Sequence, residues 1–318
     1  MKDKPAPLYV GVDVAKAHLD IFIGHGRKVA RIKNSVSQIQ SWIGRQKEVS
    51  LHVVMEATGG YEATFVDCLF EAEIPCSTIN AKRIKDFARS CGTLEKTDAI
   101  DAKVIARFGE VMKPEAMKKP TESVKLLKTL TARRTQISQQ IRQESNRRAQ
   151  SHCDVARDFM VSAVDFYQKQ LKEVNALIAQ TIKDDEKSQQ RAGILTSIPG
   201  VGKVMTATAV AQLPELGQLN RGQIAKLVGV APLANDSGQK SGHRKTYAGR
   251  HAVRRVLYMA ALVATKHNHV IKAFYTSLLA RGKMKKVALV ACMRKLLTIM
   301  NCMVQNNEPW RMPSESAT

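Results

Sequence analysis

Between Ser123 and Ser188 the chain contains neither proline nor glycine. Turns draw on those two residues and helices exclude them, so an uninterrupted stretch of this length is read as helix. Within it Leu127, Leu130, Arg134, Ile137 and Ile141 keep a three-four spacing amid Lys, Arg and Gln. Leu171, Val174, Ile178 and Ile182 repeat the pattern, which predicts two long helices with one apolar stripe each. They can pair as an antiparallel coiled coil, an intermolecular one or an ordinary helical hairpin. With Pro114 and Pro120 marking its start, this segment divides the chain into residues 1–118, a connector at 119–191 and a third part at 192–318.

The first part alternates strand-like and helix-like segments. Leu8–Val14, Leu19–Ile23 and Lys28–Lys33 read as an antiparallel meander. A helix over Ser37–Arg45, a buried strand over Leu51–Met55, a helix from Gly60 to Glu71 and a strand over Cys76–Ile79 follow. That is the element order of a ribonuclease-H-like fold. A further helix carries Ala99 to Val111. The fold class is therefore α/β followed by α, with a compact helical domain beginning at Ala192.

Charge narrows the partners. Across 318 residues, 50 Lys and Arg face 28 Asp and Glu, a net charge of +22, and no acid occurs between Ser237 and Asn307. Solvated helical surfaces interleave both signs, so a long run of one sign is read as a footprint for phosphates. Arg244, Lys245, Arg250, Arg254 and Arg255 lie in that run and are the candidate nucleic-acid contacts. A membrane is disfavoured because the longest apolar candidate considered, Val256–Ala264, falls well short of the ~18 residues a span requires. A cytoplasmic, nucleoid-associated protein is expected. The cysteines lack C-x-x-C spacing, so no zinc is assigned and buried reduced thiols are expected.

Several acids stand where chemistry could use them. Asp13 lies in a strand opposite in parity to Val10, Val12 and Val14, and so shares a face with Gly11. Glu56 closes the strand ending at Met55, and Asp98 and Asp101 sit three apart at a helix start. Each alone reads as a solvated acid. Gathered together, carboxylates repel and call for a cation such as Mg2+; two such ions roughly 4 Å apart serve phosphodiester chemistry. Ile198–Lys203 reads as the turn of a helix-hairpin-helix, where Gly200, Gly202 and Lys203 would let backbone amides meet a phosphate. Ser237 and Ser241 are two hydroxyls in one glycine-flanked loop, and chemistry alone does not choose between them.

Taken in order, these motifs resemble the DEDD transposases of insertion sequences of the 110 and 1111 groups and the related Piv-type DNA invertases. The resemblance rests on Tyr9–Lys16, Met55–Gly59, Lys96–Ala102, Ser197–Gly202, Gly229–Pro232, Asp236–Gly238 and Arg254–Ala260. One departure is Asn80-Ala81, where the family often has Asn-Pro. The resemblance implies a RuvC-like domain whose Asp13, Glu56, Asp98 and Asp101 bind Mg2+, a coiled-coil connector and a C-terminal transposase domain. It also selects Ser237 as the nucleophile. It further implies donor and target DNA as substrates, a structured noncoding guide RNA, and a dimer or tetramer with a composite site. The rival readings are a RuvC-like junction nuclease that uses water, and a noncatalytic nucleic-acid-binding protein.

Overall fold

The computed structural model describes residues 7–24, 28–46, 50–92, 98–233 and 244–311, with the backbone alone at 98–100. The chain divides into two compact units, Met1–Lys119 and Pro120–Thr318.

In the first unit the strands are β1 (Leu8–Val14), β2 (His18–Ile23), β3 (Ala30–Lys33), β4 (Leu51–Glu56) and β5 (Cys76–Ile79). They form one sheet in the order β3-β2-β1-β4-β5. The β1–β2 and β2–β3 pairs are antiparallel, whereas β1–β4 and β4–β5 are parallel. This is the ribonuclease-H-like arrangement. Alternation sets the faces: Val10, Val12, Leu19, Ile21, Val53 and Met55 close on Ile39 and Trp42 of α1 (Val36–Gly44) and on Phe65 and Leu69 of α2 (Ala63–Glu71). The opposite face carries Tyr9, Val54 and Ile79 against α3 (Ala81–Ser90) and α4 (Asp98–Met112).

Helix α3, absent from the sequence reading, is short and half charged, and turns only Ile84, Phe87 and Ala88 to the core. Asn80 caps it, accepting from the Lys82 amide at 2.9 Å. Ala81 then occupies the first helical position, where a proline would be equally tolerated. The exposed edge of β5 is covered by the segment after α4: the Met117 amide donates to Cys76 O at 2.7 Å and the Ser77 hydroxyl to Glu115 O at 2.7 Å. His52 Nε2 lies 2.8 Å from that hydroxyl, and burial lowers the histidine's pKa.

Helix α4 settles onto the sheet through small residues. A β-carbon on Gly11 would lie 2.0 Å from Ala102 O and 2.3 Å from the Ala106 amide nitrogen. One on Gly109 would lie 2.7 Å from Tyr9 Cδ1. Ala102, Ala106 and Gly109 therefore form the stripe that lets helix backbone rest on strand backbone.

The second unit is helical, with α5 (Glu122–Gln150), α6 (Asp154–Asp184), α7 (Glu186–Thr196), α8 (Lys203–Gln212), α9 (Arg221–Val228), α10 (His251–His267), α11 (His269–Ala280) and α12 (Lys285–Asn306). The short link at Ser151–Cys153 makes α5 and α6 antiparallel neighbours, tied by Arg134 to Asn175 at 2.8 Å. Leu127 and Ile178 from this pair enter the same core as α8, which is buried from Met205 through Ala211. One expectation is corrected here. Helix α12 is long and apolar enough to span a membrane by composition, with a mean hydropathy of 1.7 over its best window. Its Leu289, Cys292, Met293, Leu296, Leu297 and Met300 instead fill the core. The thiols are also mixed, since Cys68, Cys76 and Cys292 are buried but Cys91, Cys153 and Cys302 are exposed.

Gly11→Ala must push α4 off β1, and overpacking of this kind costs about 1–3 kcal/mol. Gly44→Ala, with nothing within 4 Å of the new methyl, should leave stability unchanged or slightly raised. Thermal melts of the two variants check the contrast.

Candidate functional site

The site begins with strand register. The parallel register of β1 and β4 runs from Leu8 beside Leu51 to Val12 beside Met55, so one residue further Asp13 comes level with Glu56 on the neighbouring strand, about 4.8 Å away. Both follow the parity of Gly11 and Val54, which puts them on the face that α4 covers. The helix runs opposite to β1, because Gly109 meets Tyr9 while Ala102 and Ala106 meet Gly11. Its N-terminal end therefore overhangs the end of β1 where Asp13 stands. Asp101 precedes Ala102 directly, and Asp98 opens the helix.

Asp13, Glu56 and Asp101 are each half-buried. The Asp98 side chain lies outside the described residues. Among the described residues no three His, Cys, Asp or Glu side chains are gathered closely enough to hold a metal ion. What converges is backbone, from two strand ends and one helix start, bearing hard carboxylate oxygens. That donor type fits Mg2+ or a similar hard cation.

Around these acids the structure places residues that sequence reading passed over. Asp20 is the cross-strand partner of Asp13 and is only 3% exposed. Arg31 holds it by two bonds, Nε to Oδ1 at 2.8 Å and Nη2 to Oδ2 at 2.9 Å. Asn34 donates to both Ala15 O at 3.1 Å and Tyr61 O at 3.0 Å, joining the turn after β1 to the turn after β4. Glu62 organises the latter turn, accepting from the Gly60 amide and the Thr58 hydroxyl, each at 2.9 Å. Burial opposes its charge, but these donors outweigh burial and hold its carboxyl below the usual range. The alternation of His18, Asp20 and Phe22 in β2 was the available signal for Asp20; Asn34 and Glu62 carried none.

In the second unit, Asp236, Ser237, Gly238 and Ser241 lie outside the described residues. The flanks of their loop are described, and they are tightly built. Leu233 and Lys245 exchange both backbone hydrogen bonds, at 3.0 and 3.3 Å. A β-carbon on Gly229 would lie 2.1 Å from Ala248 O, and one on Gly249 would lie 2.4 Å from the Gly229 amide nitrogen. Both glycines have positive φ, at 78° and 72°. Arg250 grips Glu215 with Nη2 at 2.5 Å and donates to Gln212 O at 2.6 Å. Arg254 donates to Ala248 O and, at 3.4 Å, to Gly229 O. Of the basic candidates, then, Arg250 and Arg254 are engaged inside the fold, whereas Lys203, Arg244, Lys245 and Arg255 are exposed.

The glycines of the α7–α8 turn also separate. A β-carbon on Gly200 would lie 2.6 Å from Ala264 Cβ, so helix packing against α10 accounts for that glycine. Gly202 has open space around it and caps α8. Asn268, fully buried, donates to Pro199 O at 3.3 Å and accepts from the Ile271 amide, pinning the turn to the start of α11.

Comparison with known proteins places this architecture. The pilin gene-inverting protein of Moraxella bovis is 26% identical over 315 residues, spanning 95% of this chain and 97% of that protein. Its counterpart from Moraxella lacunata matches equally. The insertion element IS116 44.8 kDa protein of Streptomyces clavuligerus is 29% identical over 56% of this chain and 43% of its own length. A Thermus thermophilus RuvC structure with a Holliday junction substrate aligns with 35% of this chain and 99% of that one, at 15% identity and a TM-score of 0.27. A DEDD transposase family model of the IS110 type matches residues 10–151, and a model described as "Transposase IS116/IS110/IS902 family" matches residues 192–276. The first model covers most of the first unit and runs on through α5, the second lies within the second unit, and the two together match well over half of the chain, which therefore belongs to the IS110 family of transposases.

Proposed function

We propose that this transposase cuts and rejoins DNA through a serine nucleophile, Ser237, working with a Mg2+-binding site built from Asp13, Glu56, Asp98 and Asp101. The observation that carries the reading is the backbone convergence at the end of β1, where Gly11 lets the start of α4, with Asp101, lie over the strand end at which Asp13 and Glu56 stand level. Carboxylates drawn together there would raise one another's pKa unless a cation compensated. Bound there, Mg2+ would supply charge neutralisation at the non-bridging oxygens of the phosphate.

The serine chemistry conserves bond energy. Ser237 Oγ attacks phosphorus and loses its proton, the phosphorus–oxygen bond to the deoxyribose 3′-oxygen breaks, and that oxygen gains a proton. A phosphoserine ester remains on the 5′ end. Attack by a 3′-hydroxyl of another strand reverses these changes and frees the serine. The Asp-Ser-Gly position, rather than any local geometry, favours Ser237 over Ser241. Donor and target DNA are the substrates, and a structured noncoding RNA from the same element supplies sequence choice by base pairing; the family resemblance supports both. Delegated pairing fits a basic surface that offers phosphate contacts through Lys203, Arg244, Lys245 and Arg255. A homo-oligomer is supported by Val155, Phe159 and Phe166, which form an exposed apolar row on α6 suited to a helix of a second copy.

Three outcomes test this. Asp13→Ala, Glu56→Ala or Asp101→Ala, like chelation of Mg2+, should abolish strand transfer while nucleic-acid binding persists; full recombination in excess EDTA would contradict the metal role. On a denaturing gel of a nicked substrate, Ser237→Ala should lose the covalent protein–DNA adduct and Ser241→Ala should keep it. Free 5′-phosphate ends produced at the normal rate by Ser237→Ala would favour the water-using junction nuclease. Finally, Arg255→Ala should flatten the salt dependence of binding by about 0.9 in slope, one phosphate contact. Arg250→Ala and Arg254→Ala should instead lower the melting temperature, since both brace the fold.

A further inference from the structure

The Asp20–Arg31 pair is poorly explained as a stabilising contact. Asp20 is withdrawn almost fully from water, with a side chain 5% exposed, yet Arg31 remains 58% exposed. Burying a carboxylate costs several kcal/mol before its partner offsets it, and an apolar cross-strand pair at such a position is often as stable or more so. The neighbouring position makes the choice stranger: Asp20 lies directly across from Asp13, and like charges opposite one another destabilise a sheet. An acid is thus kept beside the carboxylate site at a cost to the fold. Both of its oxygens are spoken for, Oδ1 by Arg31 Nε at 2.8 Å, and Oδ2 by Arg31 Nη2 at 2.9 Å and by His18 Nε2 at 3.4 Å. That arrangement suits a holder of a guanidinium better than a further metal ligand.

The consequence is geometric. A surface arginine ordinarily samples many rotamers, but a fork-to-fork bond to a buried carboxylate fixes its plane. Arg31 Cα is paired with Asp20 Cα on β2, itself paired with Asp13 on β1. The guanidinium reaches back over β2, and so lies about one strand spacing, roughly 5 Å, from the row that ends in Asp13. A cationic, half-solvated group is thereby set at fixed distance from the acids, on the side away from Glu56.

We infer that Arg31, held in place by Asp20, is a DNA-binding residue that grips a backbone phosphate adjacent to the one processed at the carboxylates. Arg31 is the contact, Asp20 is a positioning residue acting through it, and His18 backs the second carboxylate oxygen. This deepens the proposed reading by assigning a substrate contact on the first unit, where the long basic run of the second has no share. It rests on that reading for the location of the processed phosphate, and for nothing in its own chemistry, which is an ion pair with no bond made or broken.

The test uses the full-length protein, loaded with the element's noncoding RNA so that the register is set, and a DNA duplex spanning the element's end, with single phosphates replaced in turn by neutral methylphosphonates. Binding is measured without Mg2+, so that no chemistry is required. Wild type should lose about tenfold in affinity at one phosphate near the cleavage position. Arg31→Ala should bind about tenfold more weakly to unmodified DNA and show no further loss at that same phosphate. Arg31→Lys should recover part of the affinity, since it keeps the charge but not the fork. Asp20→Asn should shift the same position in the profile, with a smaller loss. In strand transfer, Arg31→Ala should raise KM and leave kcat within a few-fold. If Arg31→Ala keeps the wild-type methylphosphonate profile and only its melting temperature falls, the pair is structural and the inference fails. If Asp20→Asn abolishes turnover with binding intact, Asp20 is a member of the acid site and the inference fails differently. An active Asp13→Ala would overturn the carboxylate reading, while the methylphosphonate profile of Arg31→Ala still decides the phosphate contact.

Discussion

The first unit depends on an absent side chain. With any β-carbon at Gly11, the carbonyl of Ala102 and the amide of Ala106 could not stay where they are. Because they do stay, α4 rests on the centre of the sheet, and its first turn hangs over the end of β1. The position of Asp101 relative to Asp13 and Glu56 is thus fixed by backbone contact rather than by the acids themselves, whose mutual repulsion would drive them apart. Packing energy from Ile105, Phe108 and Val54 holds the arrangement together from the apolar side.

The second unit uses the same device. Gly229 and Gly249 press backbone against backbone, and two arginines lock the junction from either side. The result is a rigid base for the segment that carries Ser237. Arg250 and Arg254 belong to a run that reads, by charge, as one continuous phosphate surface. Folding divides that run into residues that also brace the fold and residues whose charge is turned to solvent alone. Net charge identifies the class of partner, but it does not say which cations meet it.

The ribonuclease-H-like order was legible because each strand is short, apolar and bounded by turn residues, and because Gly11 and Asp13 sit opposite in parity to three valines. Helix α3 was passed over although its period is clear: Ile84, Phe87 and Ala88 keep a three-four spacing, but the stripe is only three residues wide in a short, highly charged segment. Helix α12 was passed over for a different reason: Arg294 and Lys295 interrupt its apolar run in sequence, while in space they sit away from the buried stripe of Leu289, Cys292, Leu296 and Met300. Among the candidate site residues, the acids could be named from the sequence but their meeting could not, because it follows from the direction of α4 across β1. Asp20 and Arg31 needed the strand register, which links residues eleven apart. Gly200 was read as making room for a phosphate, and the structure gives its missing side chain a second reason, the close approach of Ala264.

The proposed cation site for DNA strand transfer joins the ends of β1 and β4 to the start of α4. The most direct measurement is anomalous diffraction from crystals of the full-length protein grown with Mn2+ in place of Mg2+. The expected result is an anomalous peak bounded by Asp13, Glu56 and Asp101, absent in crystals of Asp13→Ala. A peak elsewhere on the protein, or none at a Mn2+ concentration that supports strand transfer, would contradict it.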